Sequence, residues 1–374
     1  MSRSFDAIVI GGGMVGAATA FGLQRLGMKT VMLDEGDTAF RAARGNFGLV
    51  WVQSKGIDFP SYARWTETSA SHWQSLSDEI KEITGIETGY DRPGGFDICL
   101  SEEELTARED KYRRLSQHSN SFRYEMLGPE ELRERLPGLG PDVVGGGFSP
   151  NDGHANPLYL LRGLHTAFAA KSGTIEMEAG VTAIGNKSGV FAVTTPKGVF
   201  KAPKLVLAAG LGNRPLAPMV GLDVPVEPLR GQIMVTERLQ PFLNHPISTV
   251  RQTVEGSVML GDSHEDVGFD NNTSAAIMQE IADRAVRKFP VLKRAQIVRT
   301  WGALRVMTPD GHPIYAQSSS QPGAFTAVCH SGVTLAAGHA YAWAEAVRDG
   351  AIPPELMAMN PERFSTERVP DATH

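Results

Sequence analysis

The chain holds only two cysteines in 374 residues, Cys99 and Cys329. That excludes a disulfide framework and fits a reducing compartment. No charge of one sign dominates: 36 Lys and Arg against 42 Asp and Glu leave a net charge of −6. The basic residues are scattered, without the stripe that nucleic acid requires. No apolar run reaches the ~20 residues of a membrane helix. The first ten residues run straight into glycines, unlike a signal peptide. The expectation is a cytosolic protein, docking peripherally at a membrane only through a partner. No His, Cys, Asp and Glu cluster has metal-ligand spacing, and there is no Gly-x-Ser-x-Gly elbow.

Apolar material is present in the ordinary amount, 41%, and glycine is abundant at 40 residues. The length predicts about two to three domains. Strand and helix patterns alternate along the chain. Helices are expected over 61–84, 102–119, 156–171, 274–288 and Gly332 to Asp349, and the Pro-rich tail from Pro353 as a surface loop. Strands are expected near 143–148, 190–195, 204–208, 226–236, 247–251, 257–261, 296–305 and 325–328. No linker or repeat separates these elements, so the domains should interleave.

The most informative stretch is 5–34. A short buried strand, Phe5 to Ile10, meets Gly11, Gly13 and Gly16 in a G-x-G-x-x-G pattern, and a helical pattern follows through Met14 and Val15 to Leu26. The glycines allow a tight turn, close approach of backbone to a pyrophosphate, and helix–strand packing. The helix N-terminus offers N–H groups and a positive dipole end to the phosphates. Asp34 closes the next strand, where a carboxylate can accept from a ribose hydroxyl pair; its neighbour Glu35 is the alternative. The unit predicts a dinucleotide. Its N-terminal placement favours FAD over NAD. So do the small-residue strand end at Ala208, Ala209 and Gly210 and the second glycine turn at Gly332, Val333 and Thr334.

Together with Gly147 to His154, Trp301 to Arg305 and Thr308 to Pro313, these residues resemble the D-amino-acid-oxidase-like flavoproteins, in particular the glycine and sarcosine oxidase branch. The segment Arg44-Gly45-Asn46-Phe47-Gly48-Leu49-Val50-Trp51-Val52-Gln53 is similar to opine oxidase β subunits and to subunits of hydrogen cyanide synthase and hydroxyproline dehydrogenase. The resemblance implies an α/β chain. A Rossmann-like FAD-binding domain (1–86, 143–222 and 303–374) would interleave with an α+β substrate domain (87–142 and 223–302) carrying a mixed or antiparallel sheet. It implies oxidation of a C–N bond in an amine bearing a carboxylate, with hydride passing to the flavin, in a subunit that hands electrons to a partner. The alternatives are a self-sufficient peroxide-forming oxidase and a non-catalytic FAD scaffold.

The resemblance also assigns residues. Arg305 matches the arginine that holds a substrate carboxylate in glycine oxidase; otherwise it is a salt-bridged structural residue. Ala303 stands where sarcosine oxidases carry a flavin-linked cysteine, so FAD is expected to be non-covalent. Met259 stands where they carry an oxygen-activating lysine, which favours a dehydrogenase. His264 falls at or beside a pocket position and is either a ligand for substrate or structural. His330 falls near a second pocket arginine of glycine oxidase, leaving Arg305 without that support. Asn46, Phe47 and Gly48 should pass the flavin. Trp51 walls the pocket or packs as a core tryptophan. Arg44 faces pyrophosphate or water, and Val181 contacts adenine through its backbone.

Overall fold

The computed structural model describes residues 2–36, 42–119 and 121–367. Its central sheet has six strands, in the order Ile314–Gln317, Ala324–Val328, Lys204–Leu207, Ala7–Ile10, Thr30–Leu33 and Thr174–Glu176. All neighbours run parallel except the first pair. The middle strands are buried on both faces, and their sequences are accordingly apolar throughout rather than alternating. The helix Met14–Arg25 packs against the helix Pro157–Ala170 and the segment His339–Trp343. Gly22 makes the second contact possible: a Cβ there would lie 2.2 Å from the Ala340 carbonyl oxygen.

A second, antiparallel sheet has the order Val250–Gln252, Ser257–Leu260, Glu227–Arg238 and Ile297–Met307. Its two long strands form a ribbon in which Leu229 faces Arg305 and Gly231 faces Ala303. A three-stranded antiparallel sheet of Gly95–Cys99, Gly145–Ser149 and Glu125–Leu127 shares an apolar core with it, including Phe96, Ile98, Met234, Leu260 and Ile281. The helix Ala275–Lys288 closes that core, capped by the Ser274 side chain. The 145–149 strand thus lies with 95–99 and 125–127, and the 297–307 strand runs continuously through position 303.

Three expectations need correction. The helix expected over 61–84 is two helices, Pro60–Ser71 and Trp73–Thr84, separated at His72. The break lets Trp73 turn inward, where its Nε1 donates to the Val333 and Thr334 carbonyls. The helix expected from Gly332 begins with a turn over 332–335 and is interrupted by a π-helical turn, His339–Trp343, between Ala336–Gly338 and Ala344–Asp349. The wider turn carries His339, whose Nε2 lies 2.7 Å from the buried Tyr315 hydroxyl. The tail is no plain loop: a short helix, Pro354–Met357, and a 3-10 turn, Pro361–Glu367, follow Pro353, with Leu356 and Met359 buried. Residues after Glu367 lie outside the described residues. Among the described residues no helix is long and apolar enough to cross a membrane.

Candidate active site

The glycine turn has the geometry its pattern predicts. Gly11 adopts φ +107°, and a Cβ on it would lie 2.4 Å from the Ala208 carbonyl oxygen. The 208–210 strand end therefore passes directly against the turn, with Gly210 at φ +60°. A Cβ on Gly16 would fall 1.8 Å from the Gly11 carbonyl oxygen, so only glycine lets the helix close on the strand. Gly13, in contrast, faces open space, with nothing nearer than 3.9 Å. No side chain caps the helix beginning at Met14. Uncapped first-turn amides beside open space are what a diphosphate needs.

Asp34 is buried, and its carboxylate accepts from the Gly12 amide at 2.7 Å and the Gly36 amide at 2.9 Å. Glu35 is exposed. Ala179 donates to the Asp34 carbonyl, which brings Val181 to the same end of the sheet. The glycine turn, Asp34, the 208–210 strand end and Val181 are therefore gathered at the carboxyl ends of the central strands, and these residues fit FAD.

The 44–55 loop joins this cleft to the second sheet. Gly45 passes so close to Ala303 that a Cβ would come within 2.4 Å of it. Arg44 is exposed. Asn46 accepts from the Gly48 amide, and Gly48 itself has φ +91°. Thr334 ties the loop to the Gly332 turn, accepting from Trp51 N–H at 3.1 Å and donating to the Leu49 carbonyl at 3.2 Å. Gly332 packs on Met14. Asp152 fixes the loop from beneath: it accepts from the Val52 amide, from the Gln53 amide at 3.3 Å and from the Gln53 side chain at 2.5 Å. Burial raises the Asp152 carboxyl more than these donors lower it, leaving it at about 7. Tyr112 completes the network by donating to Gln53.

Loop, turn and sheet enclose a cavity of about 660 Å³. Trp51, Phe47, Ala303, Arg305, His264, His330, Val333 and Thr334 all line it, so the structure brings these expected residues together. Trp51 is both wall and core, 4% exposed and pressed on Gly95. Arg305 donates to Asp262, to the Ser263 carbonyl at 2.7 Å and to the Arg230 carbonyl at 3.3 Å. His264 sits at the rim, 65% exposed, with Nε2 3.7 Å from Asp262. Burial, together with the neighbouring Lys55 and Arg305, holds His330 well below the usual histidine range, so its ring is neutral.

Sequence reasoning missed Lys55 and Asp262. Lys55 lies two residues beyond the recognised 44–53 segment, and its Nζ lies 3.0 Å from His330 Nε2. Burial and the Arg305 charge lower it to about 8. The farther end of the cavity is also polar. Counted over the lining, Lys55, Arg108, Lys111, Arg284, Lys288 and Arg305 face Asp97, Glu104 and Asp262, six basic side chains against three acidic.

The reading of Met259 also changes. It is buried, but its Sδ accepts from the guanidinium of Arg251 at 2.8 Å, and Arg251 also donates to the Phe47 carbonyl at 2.9 Å. A positive charge is therefore present beside Met259, carried by the neighbouring strand. Burial lowers Arg251 only to about 10, leaving it charged. Both cysteines are buried and free; burial pushes Cys99 up to about 11 and Cys329 up to about 12.

Residues 6–346 match the family described as "DAO: FAD dependent oxidoreductase". The chain belongs to that family. It is an FAD-dependent oxidoreductase, of the α/β class in which an FAD-binding domain is joined to a second sheet. It is 40% identical to the B subunit of opine oxidase from Agrobacterium tumefaciens (strain Ach5), over 97% of this chain and 99% of that protein. The HcnC subunit of hydrogen cyanide synthase from Pseudomonas protegens is 25% identical over 99% and 98% of the two chains. Among solved structures, glycine oxidase from Geobacillus kaustophilus superposes with a TM-score of 0.87 at 23% identity, covering 94% of this chain and 96% of that one, and shows the fold.

Proposed function

We propose that this protein oxidises the C–N bond of an amino acid or N-substituted amino acid of the opine or imino-acid type, as the flavin-bearing member of a heteromeric dehydrogenase. The observation that carries this reading is the cavity: a pocket reached by the cofactor cleft, with basic side chains in excess and Arg305 on its wall. Near-full-length identity to the B subunit of an opine oxidase supports both the substrate class and a partner subunit. In this reading the two interleaved units are 1–86, 143–222 and 303–374 for the cofactor, and 87–142 and 223–302 for the substrate.

FAD, when bound, accepts the two electrons removed from the C–N bond. Gly11, Gly13, Met14, Val15 and Gly16 would hold its pyrophosphate, with Asp34 or Glu35 toward the ribose and Val181 toward the adenine. Arg44 to Gly48, Ala209, Gly210, Arg305 and the Gly332–Thr334 turn would line its path. The chain's own work is binding and orientation. Arg305 forms a charge-assisted pair with the substrate carboxylate. Trp51 and Ala303 wall the amine, and the Asp152–Gln53–Tyr112 network keeps that wall rigid. His264 meets substrate at the rim. No side chain is needed as a strong base when the amine binds neutral; the imine formed hydrolyses in water.

One observation favours a second reading, a self-sufficient oxidase: the Arg251 charge beside Met259 can stabilise negative charge developing on oxygen. A single preparation separates the two. Under anaerobic conditions, carboxylate-bearing secondary amines should bleach the flavin absorption. Turnover with a redox dye should then exceed turnover with oxygen. Oxygen turnover equal to dye turnover establishes the oxidase, and no bleaching by any carboxylate amine overturns both.

A further inference from the structure

We propose that Lys55 is a second carboxylate-binding residue, making the cavity selective for amines that carry two carboxylates over those that carry one. The inference rests on the reading above, that a carboxylate-bearing amine is oxidised here.

Lys55 and Arg305 line the same cavity from two different elements, Lys55 from the loop after residue 53 and Arg305 from the long antiparallel ribbon, close enough for their charges to act on each other. Their charges are compensated unequally. Arg305 already has Asp262. Lys55 makes no ion pair with any described carboxylate; the side chain it meets is His330, a neutral ring that accepts one of its three Nζ hydrogens. The nearby acids are committed elsewhere, Asp262 to Arg305 and Asp152 to the amides of Val52 and Gln53.

A half-buried ammonium without a counter-ion is costly, and the cost is removed when an anion arrives. The lowered affinity of Lys55 for its proton has the same origin, burial and the Arg305 charge. A secondary amine flanked by two carboxylates would bring one to each of the two cations and compensate both. His330 is then a positioning residue. With Ser331 Oγ 3.2 Å from its Nε2 and Tyr62 2.7 Å from Ser331, it holds the Lys55 head at the cavity.

Two matched pairs of small probes test this on the holoenzyme. Iminodiacetate and sarcosine differ by one carboxylate and are oxidisable. Thiodiacetate and (methylthio)acetate differ in the same way and have no amine to oxidise; their binding is read from the perturbed flavin spectrum. Wild type should prefer each dicarboxylate. Lys55→Met should weaken the dicarboxylate of each pair by about 10- to 100-fold, the size of one charge-assisted contact, with the loss confined to the dicarboxylates. Lys55→Arg should recover most of the preference, which shows that the effect is charge and not misfolding. Equal weakening of both members of a pair, or none, overturns the assignment of Lys55. If the thiodiacetate preference depends on Lys55 but no amine is oxidised, the subsite stands and the proposed function fails. If both amines are oxidised with no dependence on Lys55, the function stands and the subsite fails.

Discussion

The Asp262 carboxylate and the Ser263 carbonyl together hold the guanidinium of Arg305, so the arginine expected to meet a substrate carboxylate is already facing one. Asp262 is 37% exposed and Arg305 24%, so solvent and substrate can compete for the pair. Binding then requires an exchange of carboxylates at Arg305, or a shared position between them.

This sets opposite expectations for two substitutions. Arg305→Ala should lower kcat/KM for a carboxylate amine by roughly 10- to 150-fold, the equivalent of about 1.5–3 kcal/mol for a charge-assisted contact, while flavin content is retained. Asp262→Asn should lower KM, because the competing anion is gone. Steady-state kinetics on both variants decides it; an unchanged Arg305→Ala enzyme would make the arginine structural.

Asp152 should matter through the loop above it. It receives the amides of Val52 and Gln53 and the Gln53 side chain, all acceptor work that an amide side chain performs with one oxygen only. Asp152→Asn should cost about 1–3 kcal/mol of stability, since a buried donor is left without an acceptor. Urea unfolding followed by tryptophan fluorescence measures the loss, and a midpoint equal to wild type would show that the network is dispensable.

Acid should destabilise the fold through buried neutral histidines. Burial lowers His339 to about 3 and His154 to about 4. Each binds its proton more weakly folded than unfolded, so its contribution is complete above pH ~6.5 and is lost as pH falls toward the folded value. The slope for one such group is about 1.4 kcal/mol per pH unit. Unfolding midpoints at pH 5 and pH 7 should differ in that direction. His339→Gln should flatten the difference, and an identical slope in that variant would assign the acid sensitivity elsewhere.

The cofactor should leave with acid precipitation. Ala303 offers no nucleophile at the cavity wall, and burial keeps both thiols protonated, with Cys329 pushed up to about 12. Yellow supernatant over a colourless pellet is the expected result; flavin retained in the pellet would mean a covalent link.

Legibility in the sequence followed the range of the forces involved. The Gly11–Gly16 turn was readable because its pattern is local, a strand, a glycine turn and a helix with the acid at position 34 closing the unit, even though the contact that demands glycine at 11 comes from Ala208. The break at His72 was not readable, because the apolar pattern continues across it and the cause, Trp73 meeting the Val333 and Thr334 carbonyls, lies 260 residues away. The π-helical turn at His339 likewise sits against a partner from another element, the buried Tyr315 hydroxyl. Arg305 was found through its flanking motif, but Asp262 holding it could not be, since Asp262 follows the strand Ser257–Leu260 and meets Arg305 on a strand that the Glu227–Arg238 strand separates from it. Lys55 carries no pattern of its own. Its role appears only where His330 and Arg305 arrive beside it from distant parts of the chain.

The order of strands in the central sheet has a consequence for synthesis. Ala7–Ile10 carries the phosphate turn, yet it needs Lys204–Leu207 as its neighbour, and that strand needs Ala324–Val328. Thr334, which ties the Trp51 loop down, comes later still. Such distant pairing is slow to form. A ribosome must therefore have delivered the chain past Thr334 before the cleft can close on a flavin. The glycine motif made first is the part that waits longest, and loading with cofactor waits for the chain beyond Thr334.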